Sequence, residues 1–105
     1  MNETALAMEL ASVYRALGSR PRLKILSLLA KRSLCVNAIA SALKMSQPAV
    51  SQHLEVLRQA GLVIGERAGV MIHYRLDRTR LQTAGTLFSS LVEGPKEPPK
   101  SCGGG

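Results

Sequence analysis

The sequence predicts a mainly α-helical domain that carries one small β-hairpin. Two observations predict this fold class. Apolar residues recur at helical spacing in successive stretches before Gly61, and the period then falls to two as far as Leu76. The length of 105 residues suits a single domain, which we assign to residues 1–92. Residues 93–105 hold three prolines and four glycines, so they are expected to form a flexible tail.

Two amphipathic helices are predicted at the start of the chain. The first covers residues 4–17, where apolar residues recur at steps of four and three. The second follows the cap residue Ser19 and has an apolar face that ends at Leu29. Three cations lie near its start, where the helix dipole disfavours them: Arg20, Arg22 and Lys24. Contact with phosphate and a solvated charged helix end both fit that placement.

A third, short helix is predicted over Val36–Leu43 and a fourth within Ser46–Gly61. Two such helices with three or four residues between them form a helix-turn-helix. The fourth helix has an apolar arc of Val50, Leu54 and Leu57, and a polar arc of Gln47, Ser51, Gln52, Glu55, Arg58 and Gln59. Glutamine and serine are among the side chains that read base edges. This helix is therefore predicted to lie in a DNA major groove.

A β-hairpin is predicted directly after the helix-turn-helix, with strands over residues 62–67 and 70–76. Its turn is assigned to Ala68 and Gly69. One face of the second strand is expected to hold Val70, Ile72, Tyr74 and Leu76. A hairpin in this position is a wing, whose basic residues can reach the minor groove or flanking phosphates.

A last helix over residues 78–91, capped by Asp77, completes a winged helix-turn-helix with the predicted element order α-α-α-α-β-β-α. The first and last helices carry apolar stripes beyond what a three-helix core and a hairpin need. We therefore predict a homodimer through Leu6, Leu10, Val13, Leu87 and Leu91. A monomer that buries both stripes internally is the alternative.

The charge balance favours a nucleic-acid partner. The formal net charge is +7 and the pI about 10.1, and the charges of the tail cancel, so the excess lies in residues 1–92. Aromatic residues make up only 3%, whereas single-strand and RNA binders stack bases on aromatics, which favours double-stranded DNA. Neither a signal peptide nor an apolar run of the ~18–20 residues of a membrane span is recognisable, so we expect a cytoplasmic protein with no membrane partner.

Eight residues are predicted to contact DNA. Base edges are assigned to Gln47, Ser51 and Gln52, and phosphates to Ser46 and Arg58. The set is completed by Pro48 in the first turn of the helix and by Arg67 and Arg75 in the wing. We find no nucleophile–base–acid set, phosphate-binding loop or paired carboxylates in the sequence, so no enzymatic activity is predicted.

With these residues assigned, the chain resembles the ArsR/SmtB family of bacterial winged-helix repressors over about residues 5–92. The resemblance rests on ALGSRPRLKILSLL (Ala16–Leu29), SQPAVSQHLEVLRQAGLV (Ser46–Val63) and HYRL (His73–Leu76). It implies a homodimer formed by the first and last helices, with each protomer presenting one helix to a palindromic operator. It also implies that an effector, often a metal or metalloid, releases the DNA.

Family members that bind arsenite carry Leu-Cys-Val-Cys at the start of the third helix, and the matching residues here are Leu34, Cys35, Val36 and Asn37. The resemblance therefore implies a thiophilic inducer such as As(III). The second cysteine position is Asn37, however, and the third is Ala40, so the three-thiolate site is incomplete. Zinc-type members place Asp and His ligands on the last helix, where this chain has Asp77 and Gln82 but no His or Cys. A zinc site there is therefore not expected, and no obligatory cofactor is predicted.

Cys35 falls at the predicted N-cap of the third helix, where Ser, Thr, Asp or Asn is preferred. A thiol caps poorly, while a helix N-terminus favours a thiolate, so Cys35 is the candidate effector residue. Cys102 in the tail can swing back towards it, to form a disulfide or polysulfide or to share a thiophilic ion. A half-buried structural cysteine at position 35 and an incidental one at position 102 are the alternatives.

Both histidines are interpreted without a metal. His53 lies at the border of the apolar arc of the fourth helix, which indicates a packing or helix-orienting role. His73 falls on the outer face of a wing strand, where it is solvated or close to phosphate.

Three rival functions stay open: a redox or persulfide sensor, a regulator without an effector, and a winged helix used as an architectural or protein-interaction module.

Overall fold

A computed structural model describes residues 3–94 and 97–99, and these form five helices and a three-stranded antiparallel sheet. In chain order the elements are α1 (Glu3–Leu17), α2 (Arg20–Leu29), β1 (Leu34–Cys35), α3 (Val36–Leu43), α4 (Gln47–Gln59), β2 (Val63–Ala68), β3 (Met71–Leu76) and α5 (Arg78–Val92). The five predicted helices and the wing are thereby confirmed. Most of the predicted tail, Cys102 included, lies outside the described residues.

Helices α2, α4 and α5 begin directly after their predicted cap residues, whereas α1 begins one residue earlier and α5 ends one residue later than predicted. The side-chain oxygens of Ser19, Ser46 and Asp77 each accept a hydrogen bond from the backbone N–H three residues further on, at 3.4, 3.2 and 3.0 Å. Gly61 ends α4 with a φ of 76°, a conformation that costs glycine little. Lys44 takes the same left-handed region, with a φ of 55°, and turns the chain from α3 into α4.

Strand β1 was not predicted, so the observed order is α-α-β-α-α-β-β-α. The sheet order is β1-β3-β2, and in the β1–β3 ladder Leu34 pairs with Tyr74 and Cys35 with His73. A strand of two residues between a loop and a helix has no period to detect, which is why the sequence did not reveal it. Its consequence is that Cys35 is joined to the wing as well as to α3.

The hairpin turn lies one residue later than predicted, at Gly69 and Val70, because Ala68 pairs with Met71. Gly69 supplies the positive φ, 65°, at the first of the two turn positions. Val70 is therefore at the tip, where 94% of its surface is exposed, and Ile72 is also exposed. Val70 was predicted to share a strand face with Ile72, Tyr74 and Leu76, but it lies in the turn, outside β3. The end of the wing extends beyond the core, and of these four residues only Tyr74 and Leu76 pack against it.

One apolar core joins the helices to the base of the wing. Its largest fully buried side chains are Val13, Ile25, Ile39, Val50, Leu54, Leu57, Leu62 and Val63. Three of these are the predicted apolar arc of α4, so burial of that arc determines which face of the helix remains exposed. Within the described residues, no helix has the length and apolar character needed to cross a bilayer.

Candidate nucleic-acid interface

The exposed face of α4 carries all six predicted DNA-binding residues of this segment. Val50, Leu54 and Leu57 are at most 1% exposed on the opposite side. The outer side chains, all classed as exposed, are Ser46, Gln47, Pro48, Ser51, Gln52 and Arg58. Short hydrogen-bonding side chains thus occupy the N-terminal half of the face, which suits contact with base edges.

Arg58 is not free to the extent that the sequence suggested. Its Nε donates to Oε2 of Glu55 at 3.0 Å, and a second bond joins its Nη2 to Oε1. Gln59 donates to the same carboxylate at 3.3 Å. The hydrogen bond from Arg58 is the main reason why the pKa of Glu55 lies below its ordinary value. An exposed pair of this kind is weak, so a phosphate can replace the carboxylate, but Glu55 opposes the charge of Arg58 until then.

The two arginines of the wing differ in their surroundings. Arg67 is exposed close to the tip. Arg75 donates from Nε to Oε1 of Glu66 on the neighbouring strand, at 2.7 Å. Both side chains of this pair are about half exposed, so the ion pair is screened by solvent. Arg67 is therefore the more available of the two cations for a phosphate.

Cys35 lies beside the face of α4 that is predicted to contact base edges. It occupies the N-cap of α3 and makes no side-chain capping hydrogen bond there, as predicted for a thiol. The half-buried residue lines an open cleft of about 340 Å³ together with Gln47 and Ser51 of α4 and residues at the end of the wing. The cleft joins three separate segments of the chain, so no local sequence pattern predicts it. A change at Cys35 takes place beside two residues predicted to read bases.

Strand β1 also brings Cys35 and His73 into direct register. Side chains of directly opposed residues on antiparallel strands lie on the same side of the sheet, with Cβ atoms roughly 5 Å apart. The sequence had shown no second ligand near His73, because the pairing depends on the unpredicted strand. Within residues 3–94 and 97–99, no group of three or more His, Cys, Asp or Glu residues is arranged to hold a metal ion.

His53 is half-buried and hydrogen bonded inside the protomer, as its packing role predicted. Its Nδ1 lies 3.2 Å from Nη1 of Arg22 in the first turn of α2. The same guanidinium donates from Nε to the carbonyl of Ala16 and from Nη2 to the carbonyl of Arg15, both at the end of α1. Arg22 therefore makes three contacts within the protein. Neither of the two explanations that its sequence position suggested, contact with phosphate or a solvated helix end, accounts for these contacts.

A second exposed surface is formed by α1 and α5. The helices are joined by an ion pair between Arg80 and Glu9 at 2.8 Å and by an edge-on contact of the Tyr14 and Phe88 rings. Of the residues predicted for dimerisation, Leu10 and Val13 are buried within the protomer, Leu6 and Leu87 are half-buried, and Leu91 is 44% exposed. Three large apolar side chains outside the set predicted for dimerisation are also exposed on these helices: Met8, Phe88 and Val92.

The buried arc of α4, its exposed polar face and the adjoining hairpin define a winged helix-turn-helix domain. Residues 20–64 match the family model described as the bacterial regulatory protein, arsR family. The arsenic resistance transcriptional regulator ArsR1 of Pseudomonas putida is 33% identical over 86 residues, which cover 81% of this chain and 67% of that protein. The chain belongs to the ArsR family, and the predicted resemblance is confirmed.

Two further comparisons agree. The HTH-type transcriptional repressor SmtB of Mycobacterium tuberculosis is 45% identical over 64 residues, or 61% of this chain, and the match spans about half of that repressor, 47%. The solution structure of the homodimeric winged helix-turn-helix DNA-binding domain Mb0332 of Mycobacterium bovis superposes with a TM-score of 0.72 at 30% identity, covering 95% of this chain and 94% of that one. ArsR1 and SmtB are named as a transcriptional regulator and a transcriptional repressor, which agrees with the prediction of a non-enzymatic protein.

Proposed function

We propose that this chain is a dimeric transcriptional repressor that binds a palindromic operator in double-stranded DNA, in the bacterial cytoplasm. The observation that carries the proposal is the exposed Gln and Ser face of α4, which is held outward by a fully buried apolar arc. The basic wing beside it and the net charge of +7 supply attraction to phosphate that does not depend on sequence.

The dimer is supported by the apolar side chains that α1 and α5 leave exposed. Met8 is 70% exposed, Leu91 44% and Val92 64%, and large exposed apolar side chains are typical of association surfaces on small domains. Mb0332, which has the same fold, is homodimeric. A two-fold dimer presents two copies of α4 to successive major grooves, ~34–36 Å apart.

The decisive experiment is selection of binding sites from a pool of random DNA duplexes, followed by affinity measurements with the enriched duplex. We expect a palindrome to be enriched. Gln47→Ala and Ser51→Ala should relax the base preference at individual positions, each costing about 1–3 kcal/mol of discrimination where the contact is bidentate. Gln82→Ala, on the exposed face of α5, is the matched control. Equal binding of all duplexes by the wild-type protein contradicts the proposal and favours the architectural module instead.

The same proposal assigns the effector to Cys35. We infer that a thiophilic ligand, with As(III) as the first candidate, binds the thiolate and lowers affinity for the operator. The thiol is unused as a helix cap and lines the cleft that also contains Gln47 and Ser51. His73, its register partner, is a second donor for a borderline metal ion such as Zn²⁺ or Cd²⁺.

A release assay tests this assignment. Operator-bound protein is treated with As(III), Sb(III), Cd²⁺, Zn²⁺, a persulfide and an oxidant, and the fraction of DNA still bound is measured. Cys35→Ser should bind DNA normally and lose the response, whereas His73→Gln should lose only a response to Zn²⁺ or Cd²⁺. Cys102→Ser tests the predicted contribution of the tail.

The assay also separates the rival functions. Release by persulfide or oxidant alone, dependent on both cysteines, identifies a redox sensor. An unchanged response in Cys35→Ser overturns the assignment of the effector to that residue, and no release by any reagent indicates a regulator without an effector of this class.

A further inference from the structure

We propose that Arg22 is a positioning residue that fixes α4 against the C-terminal end of α1 through His53. We call the three contacts of its guanidinium, with the carbonyls of Arg15 and Ala16 and with Nδ1 of His53, the Arg22 bridge. The inference rests on the proposed function, since it concerns how accurately α4 is presented to DNA. Neither the family match nor the relatives assign this role.

The chemistry of each group accounts for the geometry. Arg15 and Ala16 lie in the last turn of α1, whose carbonyls have no following helical turn to satisfy them and carry the negative end of the helix dipole. The carbonyl of Arg15 also accepts a hydrogen bond from the backbone N–H of Gly18, at 3.4 Å. A guanidinium is planar, always charged and only donates, so two of its nitrogens can satisfy these carbonyls while the third faces another helix. This explains why a cation is placed at the start of α2, where the dipole of that helix opposes it.

The bridge also defines the role of the imidazole. Because a guanidinium can only donate, Nδ1 of His53 is the acceptor in this hydrogen bond. His53 lies at the border between the buried and exposed arcs of α4. A hydrogen bond at this border resists rotation of the helix about its own axis, and such a rotation would carry Gln47 and Ser51 away from the base edges they are proposed to read.

Apolar packing is interrupted on that side of α4. An open cleft of about 480 Å³ lies between α1 and the C-terminal half of α4, with Ser12 and Arg15 on one side, Val56 and Gln59 on the other, and Arg22 in its wall. Beside this cleft the Arg22 bridge adds a polar link to the apolar contacts that the two helices make in the core. Since α1 also belongs to the proposed dimer surface, the bridge connects the element that sets the distance between protomers to the element that reads DNA.

The test compares four variants of the full chain: Arg22→Met, His53→Leu, His53→Asn and the double variant Arg22→Met/His53→Leu. Asparagine can place an acceptor oxygen close to the position of Nδ1, whereas leucine fills a similar volume without an acceptor. Arg32→Met removes the same charge from an exposed loop and serves as the control. Two quantities are measured: the ratio of affinities for the enriched duplex and a scrambled duplex of equal length, and amide hydrogen exchange along α4 in the DNA-free protein.

We expect Arg22→Met and His53→Leu to lower the affinity ratio about tenfold, as for loss of one hydrogen bond to a charged group, and to speed exchange in α4. His53→Asn should keep most of the ratio. The double variant should resemble Arg22→Met, because the contact that His53→Leu removes is one of those that Arg22→Met already removes. If Arg22→Met does not fold, the two His53 variants decide the question.

Three results overturn the proposal: an unchanged ratio and unchanged exchange in His53→Leu, equal losses in His53→Asn and His53→Leu, or additive losses in the double variant. A wild-type protein with no preference between the duplexes refutes the proposed function instead. The exchange measurement then still decides whether the bridge holds α4.

Discussion

At the scale of single residues, Glu55 offsets the positive charge of Arg58 on the exposed side of α4. It accepts hydrogen bonds from Arg58 and Gln59 on the exposed side of the helix, and its carboxylate lies among side chains proposed to meet phosphate. The sequence placed Glu55 on the polar arc, and its spacing of three from Arg58 is one at which helical side chains meet. Helical spacing alone does not show that the carboxylate of Glu55 competes with a phosphate for the guanidinium of Arg58.

We therefore predict that Glu55→Gln binds every duplex more tightly, by a similar factor for enriched and scrambled sequences. Removal of the carboxylate frees Arg58 and removes a negative charge that repels the DNA backbone. The slope of a plot of the logarithm of affinity against the logarithm of salt concentration should become steeper by up to about 0.9, as for one additional phosphate contact. Titrations at several salt concentrations measure both effects. Glu97→Gln, in the tail, provides a charge-matched control, and an affinity gain confined to the enriched duplex would contradict the explanation.

At the scale of secondary-structure elements, boundaries that depend on local chemistry could be predicted and those that depend on pairing could not. Helix α3 was predicted over Val36–Leu43 and is observed there, since periodicity and caps are properties of the segment itself. Strand β1 exists only because β3 passes beside it. The turn of the wing was displaced by one residue because both positions next to Gly69 satisfy the alternating pattern, and only the register decides between them.

The features of the candidate site can be separated in the same way, into those that local spacing predicts and those that only contacts between distant segments create. The exposed face of α4 follows from helical spacing, so its predicted residues are found together. The cleft beside Cys35, its register with His73 and the Arg22 bridge all join segments distant in sequence. For Arg22 the sequence did supply a signal, namely a cation where the helix dipole disfavours one. That signal showed that the residue had another purpose without naming its partners.

At the scale of the whole molecule, the protomer leaves an apolar surface that its own fold does not cover. Leucine and valine positions of the α1 stripe were predicted for the dimer, but Leu10 and Val13 are used in the core. Periodicity identifies an apolar stripe on a helix. It does not show whether the core of the same chain or a second protomer will cover that stripe. The large apolar side chains that stay exposed on these two helices instead include Met8 on α1 and Phe88, Leu91 and Val92 in the last turns of α5.

We predict that Leu91→Asp converts a dimer into monomers and weakens operator binding, because a carboxylate would be buried without a partner in the interface. Leu91 is 44% exposed in the protomer, so the fold of the single chain should survive. Sedimentation equilibrium gives the mass and circular dichroism the helix content. Val70→Asp, at the exposed wing tip, should stay dimeric. A dimer that persists in Leu91→Asp would show that the protomers meet elsewhere.

The cleft shared by Cys35, Gln47 and Ser51 has a kinetic consequence under the proposed function. DNA held against Gln47 and Ser51 covers the opening through which a reagent reaches the thiol, so the operator-bound molecule is the form that reacts most slowly. The effector then captures molecules in the interval between leaving one site and returning to it. The time taken to begin transcription after exposure is accordingly set by the residence time on DNA, and increasing the effector concentration beyond that needed for capture does not shorten it.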